Sequence, residues 1–238
     1  METSERTPAT TFGGRGIAAA ERATTFLRTV YGWMCAGLAI TALVAYSIAS
    51  SPVLVQALVT NHLLFLGLFV GQIALVFFLS ARADRLAPGI ATLLFIAYAA
   101  LTGVTLSVLV LAYTGASIAT TFVVTAGMFG ALALYGSATR RSLAGAGQFS
   151  FMGLIGLVLA SIVGIFWHSP ALQYLISVVG VIVFTGLTAW DAQRLKQMAL
   201  ALPEGQLGSY AIVGALSLYL DFINLFLFLL RFLGDRRE

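Results

Sequence analysis

The sequence predicts an all-α membrane protein with seven transmembrane helices. Three observations predict it. First, 60% of the residues are hydrophobic and only 9% are charged, whereas a soluble domain carries roughly 25% charged residues. A chain this apolar cannot cover itself with a polar surface, so the lipid bilayer is its solvent. Second, seven apolar runs each approach the ~20 residues that a spanning helix needs. They are too long for barrel strands, and only helices satisfy their own backbone in lipid. Third, the connections between the runs alternate between basic and uncharged.

The runs are Val30 to Ala49, Leu63 to Leu79, Gly89 to Tyr113, Ile118 to Gly136, Phe149 to Trp167, Leu172 to Trp190 and Tyr210 to Leu230. The expected organisation is a flexible cytoplasmic N-terminal tail over 1–24, a helical domain over 25–234 and a short polar C-terminus over 235–238. The tail is polar, small and mixed in charge, with no apolar core before a cleavage site, so no signal peptide is expected. Arg6, Arg15, Arg22 and Arg28 lie in or near it. The connection over 50–62 has no Lys or Arg; the next has Arg82 and Arg85. The turn at Thr114 has none, the next connection has Arg140 and Arg141, and the one at His168 has none. Arg194 and Lys196 follow. The positive-inside rule then places the N-terminus in the cytoplasm. The last run breaks the alternation, because seven spans put Arg231, Arg236 and Arg237 outside. Either that tail is tolerated or the run is re-entrant; its length favours a full span.

Other classes are set aside on the same page. The cations sit singly or in pairs, with no stripe that could follow a phosphate backbone, so no nucleic-acid partner is expected. One cysteine, Cys35, excludes an intramolecular disulfide and a Cys-based zinc site, and is expected to be buried. Small positions such as Gly67 with Gly71, Gly127 with Gly130 and Gly153 with Gly156 are packing signals. Trp33, Trp167, His62 and His168 are expected at the interface, and Gln72 as interhelical glue.

Of nine acids, only Asp191 and Asp221 lie on apolar helical segments. A charge at membrane depth costs at least ~2.5 kcal/mol, which makes each a functional candidate. Both are fifteen residues from Gln206, the midpoint of the intervening turn. Antiparallel helices leaving that turn carry them to similar depth, about 22 Å at 1.5 Å per residue. Ser217, Asp221 and Asn224, with Gly214, share one helix face; Ser217 and Asn224 can support the carboxylate. Two close carboxyl groups cannot both ionise cheaply, so the pair should share a proton. Fully ionised, Asp191 and Asp221 offer a hard oxygen site to a cation such as Ca²⁺. The plainer reading pairs each acid with a cation such as Arg194. Neither acid follows the Gly-x-Gly of intramembrane aspartyl proteases, and no serine elbow accompanies the histidines. No enzymatic activity and no cofactor are expected.

Two segments resemble a known family. TAWDAQRLK (Thr188 to Lys196) resembles the Asp-x-Gln segment of the Bax inhibitor family, with Trp190 where a tyrosine is common. SLYLDFINLFLFLLRFLG (Ser217 to Gly234) is similar to that family's last membrane segment. The resemblance implies six helices around a central seventh and a pH-sensing pair, Asp191 and Asp221, in a calcium-leak pathway. It implies an arginine latch at the end of the second helix, where both Arg82 and Arg85 lie. Bacterial members are also linked to membrane-protease regulation and stress survival. The expected function is a pH-sensitive Ca²⁺ leak of the bacterial inner membrane, with Ca²⁺ and protons as its ligands. The alternative is an interaction protein that modulates a membrane protease or quality-control complex without ion flux.

Overall fold

A computed structural model of the chain describes residues 11–82, 85–167, 169–201 and 207–237. The turn at Gln206, with Glu204, lies outside them, as do Asp84, His168, Glu238 and the first ten residues. The described elements are α1 (Thr11–Ala49), α2 (Pro52–Thr60), α3 (His62–Ala81), α4 (Pro88–Ala112), α5 (Gly115–Ala138), α6 (Ala144–Phe166), α7 (Pro170–Ala201) and α8 (Leu207–Leu233). All except α2 are long and apolar enough to cross a membrane, as the seven runs predict.

Local chemistry sets the boundaries. Proline opens α2, α4 and α7, where its missing N–H is not needed. Asn61 caps α3 by accepting the Leu64 N–H at 3.1 Å, and Thr114 caps α5 through the Ser117 N–H at 3.2 Å. Two boundaries differ from expectation. The segment read as a tail is helical from Thr11, and Ala23 within it is buried. The alanines at 18, 19 and 20 are the strongest helix formers, which favours helix ahead of the first apolar run. The uncharged connection over 50–62 folds its middle into α2, whose apolar residues stay short of a span.

Burial sorts the helices. The most apolar window of α8 is 61% buried inside the protein, against 11% for α3. α8 packs on α1, α4, α5 and α7 and touches α3, while α6 packs chiefly on α7. Lipid replaces protein around α3, where Gln72 joins the helix to α4 by donating to the Leu101 carbonyl at 2.9 Å. Gly67 and Gly71 face open space there and pack no other helix of this chain. Cys35 is exposed, contrary to expectation. It lies on the outer face of α1, away from the buried stripe of Val30, Met34, Leu38 and Thr41.

α8 crosses the whole bundle. Near its start, Ser209 donates to the Leu86 carbonyl at 2.6 Å. Past its end, the Thr114 N–H donates to the Asp235 carbonyl at 3.2 Å, and the Asp235 N–H donates to Ser117 Oγ at 3.0 Å. Leu86 precedes α4 and Thr114 follows it, so these are opposite ends of the molecule. The last run therefore crosses the full length of the bundle, and it is long and apolar enough to span a membrane. The polar C-terminus is stapled over the α4–α5 turn by an antiparallel bridge between Tyr113 and Arg236.

Candidate functional site

The site is the contact of α7 with α8. A side chain on Gly136 would strike the Ala189 carbonyl, so its absence lets α5 press on α7 beside the Asp191 segment. Gly180 packs on the Phe228 ring and Gly214 on Leu195. These two contacts bring α7 and α8 together on either side of Asp191 and Asp221, and the turn that joins the helices lies outside the described residues.

Both acids are buried, with 9% of Asp191 and 5% of Asp221 exposed. Asp191 lies within Coulombic range of Asp221. Asp221 Oδ2 is buried and has no hydrogen-bond partner among the described residues. Such an acceptor costs free energy until a proton, a water or a cation reaches it. The cation acting on Asp191 is Arg194, one turn along α7, whose guanidinium also lies 5.3 Å from the Trp190 ring centroid.

The expected supporting residues are arranged differently. Asn224 donates to the Leu220 carbonyl of its own helix at 2.8 Å, which leaves its side-chain oxygen for another partner. Ser217 is half-buried one turn before Asp221. Arg82 stacks over Phe78 of its own helix at 5.6 Å, and Arg85 sits in the turn that follows.

Two residues of the site escaped the sequence reading. Gln193, inside the Asp-x-Gln segment, is buried. Its amide donates to the Arg141 carbonyl at 2.8 Å, and its oxygen accepts the Leu143 N–H at 2.8 Å. It staples the α5–α6 connection to α7 within one turn of Asp191; a glutamine among cations at a helix end was the available signal. Tyr219, two residues before Asp221, is fully buried. Its hydroxyl bonds Thr41 Oγ1 at 2.6 Å, and Thr41 donates onward to the Ala99 carbonyl at 2.9 Å. Its ring meets Phe95 and Tyr98 edge to face.

A seven-helix membrane bundle with two acids buried between its last two helices is thus the class that fold and site define. The family model described as "Inhibitor of apoptosis-promoting Bax1" matches residues 23–238. The chain belongs to the Bax inhibitor family. It is 52% identical over 216 residues to the inner membrane protein YbhL of Escherichia coli (strain K12), covering 90% of this chain and 92% of that one. A protein of Deinococcus radiodurans is 45% identical over 215 residues, covering 90% and 91%. One of Borreliella burgdorferi is 42% identical over 215 residues, covering 90% and 93%.

Proposed function

We propose that the chain is a pH-sensitive cation leak, chiefly for Ca²⁺, gated by Asp191 and Asp221. The observation that supports this reading most is the orphaned Asp221 Oδ2, buried beside a second carboxyl group. One proton held by the pair removes a charge and links α7 to α8, which favours a closed pathway. Loss of that proton as pH rises leaves like charges that repel by several kcal/mol at low effective dielectric. An open state that relieves this repulsion gains population by orders of magnitude. The ionised pair then offers oxygens to Ca²⁺. Two carboxyl groups supply few of the 6–8 oxygens that Ca²⁺ takes, so the ion keeps water ligands and passes through. Arg194 is placed to balance the remaining charge; a latch by Arg82 would require it to leave Phe78. Ser217 and Asn224 serve the open state, in which the Asn224 oxygen turns to the ion. No bond is made or broken, so this is not an enzyme.

The proposed location is the bacterial inner membrane, as the name of the Escherichia coli relative suggests. The basic connections argue for a cytoplasmic N-terminus. Single cysteines at Ser51 and Arg141, in a Cys35→Ala background, check this by labelling from each side; labelling of Ser51 from the cytoplasmic side overturns the orientation. The leak is tested by Ca²⁺ flux into liposomes holding the purified protein, measured against pH. Wild-type flux should rise with pH, and Asp221→Asn should flatten the response. Wild-type liposomes that pass no Ca²⁺ at any pH would sink the leak and leave the protease-modulating interaction protein as the reading to pursue.

A further inference from the structure

At the end of the bundle opposite the C-terminal staple, the α5–α6 connection and the last turns of α7 enclose a cavity of about 230 Å³. Its walls include Thr139, Arg140, Arg141, Ser142 and Lys196, and no Asp or Glu among the described residues lines it. Three cationic side chains line one cleft, and specific bonds fix the segments that present them. Gln193 fixes the backbone of Arg141 and Leu143 from α7. Lys196 donates to the Ser137 carbonyl at 2.6 Å, which anchors its ammonium at the end of α5 and leaves two of its three donors. Thr139 Oγ1 accepts the Arg141 N–H at 3.3 Å, so the connection is folded on itself. α6 begins directly afterwards at Ala144 with no capping side chain from Leu143, and its N-terminal dipole adds positive potential.

We infer that this cleft is a binding site for a phosphate group, with Arg140 and Arg141 as the planar donors and Lys196 as the fixed point charge. Guanidinium forks match phosphate oxygens in pairs, and an ammonium held by its helix needs no ordering when the anion arrives. The cleft lies between the end of one candidate span, Gly115–Ala138, and the start of the next, Ala144–Gly164, where headgroups are expected. Its ligand is the phosphate of an anionic phospholipid headgroup, and free phosphate, which carries the same oxygens, is the competing source that the test tells apart. The inference does not rest on the leak, although Gln193 belongs to both sites and Lys196 shares α7 with Asp191.

Native mass spectrometry of the purified full chain, with phosphatidylglycerol or phosphatidylcholine as the probe, tests the inference. Wild type should retain phosphatidylglycerol preferentially, and Arg140→Gln/Arg141→Gln should lose about tenfold in that retention, the loss of roughly one charge-assisted contact. Both arginines are exposed, so folding should survive. The charge-matched control Arg22→Gln/Arg28→Gln should retain the lipid as wild type does. Displacement by inorganic phosphate would identify phosphate alone as the recognised group. Retention that resists phosphate yet still needs Arg140 and Arg141 would identify the lipid. Equal retention of the two lipids by wild type, or equal losses in the two double variants, overturns the site. A rise in Tm of wild type with phosphatidylglycerol and not with phosphatidylcholine is the second measurement, and its absence counts against the proposal.

Discussion

Tyr219 and Asp221 are two residues apart on α8, both buried, and they face different neighbours. Tyr219 has its hydroxyl paired with Thr41 and its ring held by two aromatics. Asp221 has an oxygen with no partner among the described residues. The two faces of one helix thus follow opposite rules. On the α1–α4 side every polar atom of the hub is satisfied, which fixes the bundle. On the α7 side a polar atom is left costly, and a group in that state responds to whatever can satisfy it. The first face fixes the bundle, and the second carries the open acceptor on which the proposed pH response rests.

The comparison can be broken at its widest point by Gly136→Leu. A side chain there would collide with the Ala189 carbonyl and displace α7, which bears Asp191. A backbone contact cannot relax cheaply, so the expected cost is about 3 kcal/mol or more. It would be read as aggregated or thermally labile protein on fluorescence-detected size exclusion. Wild-type melting would mean that α5 does not brace the site.

The satisfied face should then show a graded response. Thr41→Val removes the closest partner of the Tyr219 hydroxyl and leaves it Thr102 alone, and should cost about 1–3 kcal/mol, whereas Tyr219→Phe leaves Thr41 still donating to Ala99 and should cost about 1 kcal/mol. The double variant should cost no more than Thr41→Val alone, because it strands no donor. Additive losses in thermal melts would show that the hub is not a unit.

Asp221→Asn should have the opposite sign. At neutral pH it replaces an unpaired buried carboxyl group by a neutral amide, which should raise stability by about 1 kcal/mol. The same variant should lose the pH response of Ca²⁺ flux, and Asp191→Asn should add little to it. A melting temperature that falls as far as in Tyr219→Phe would place Asp221 among the structural residues. The smallest effect belongs to Gly71→Ala, on the lipid-facing helix. With nothing near an added Cβ, the change should stay within about 0.5 kcal/mol. A larger loss, or a shift in oligomeric state on size exclusion, would show that Gly67 and Gly71 pack against a second molecule.

Much of this protein was determined by its sequence alone, because lipid imposes two simple rules. Spans must be long, apolar and helical, so all seven are legible as uninterrupted runs, and α8 is long enough that its crossing was the better expectation. Ions at depth are expensive, so Asp191 and Asp221 stand out in a chain with few charges. Neither rule reaches side-chain partners. The packing of α7 on α8 through Gly180 with Phe228 and Gly214 with Leu195 joins residues far apart in the chain. Tyr219 looked like another interior aromatic until α1 brought Thr41 to its hydroxyl, across a separation of 178 residues. Gln193 looked like a polar neighbour of cations until α7 carried it under the α5–α6 connection. The outward face of Cys35 and the stapling of Asp235 over the Thr114 turn were decided in the same way. Helix formation is local and is written in composition, whereas partners distant in the chain meet only after the helices have packed, so the tertiary structure alone decides which buried polar atoms are satisfied and which are left open.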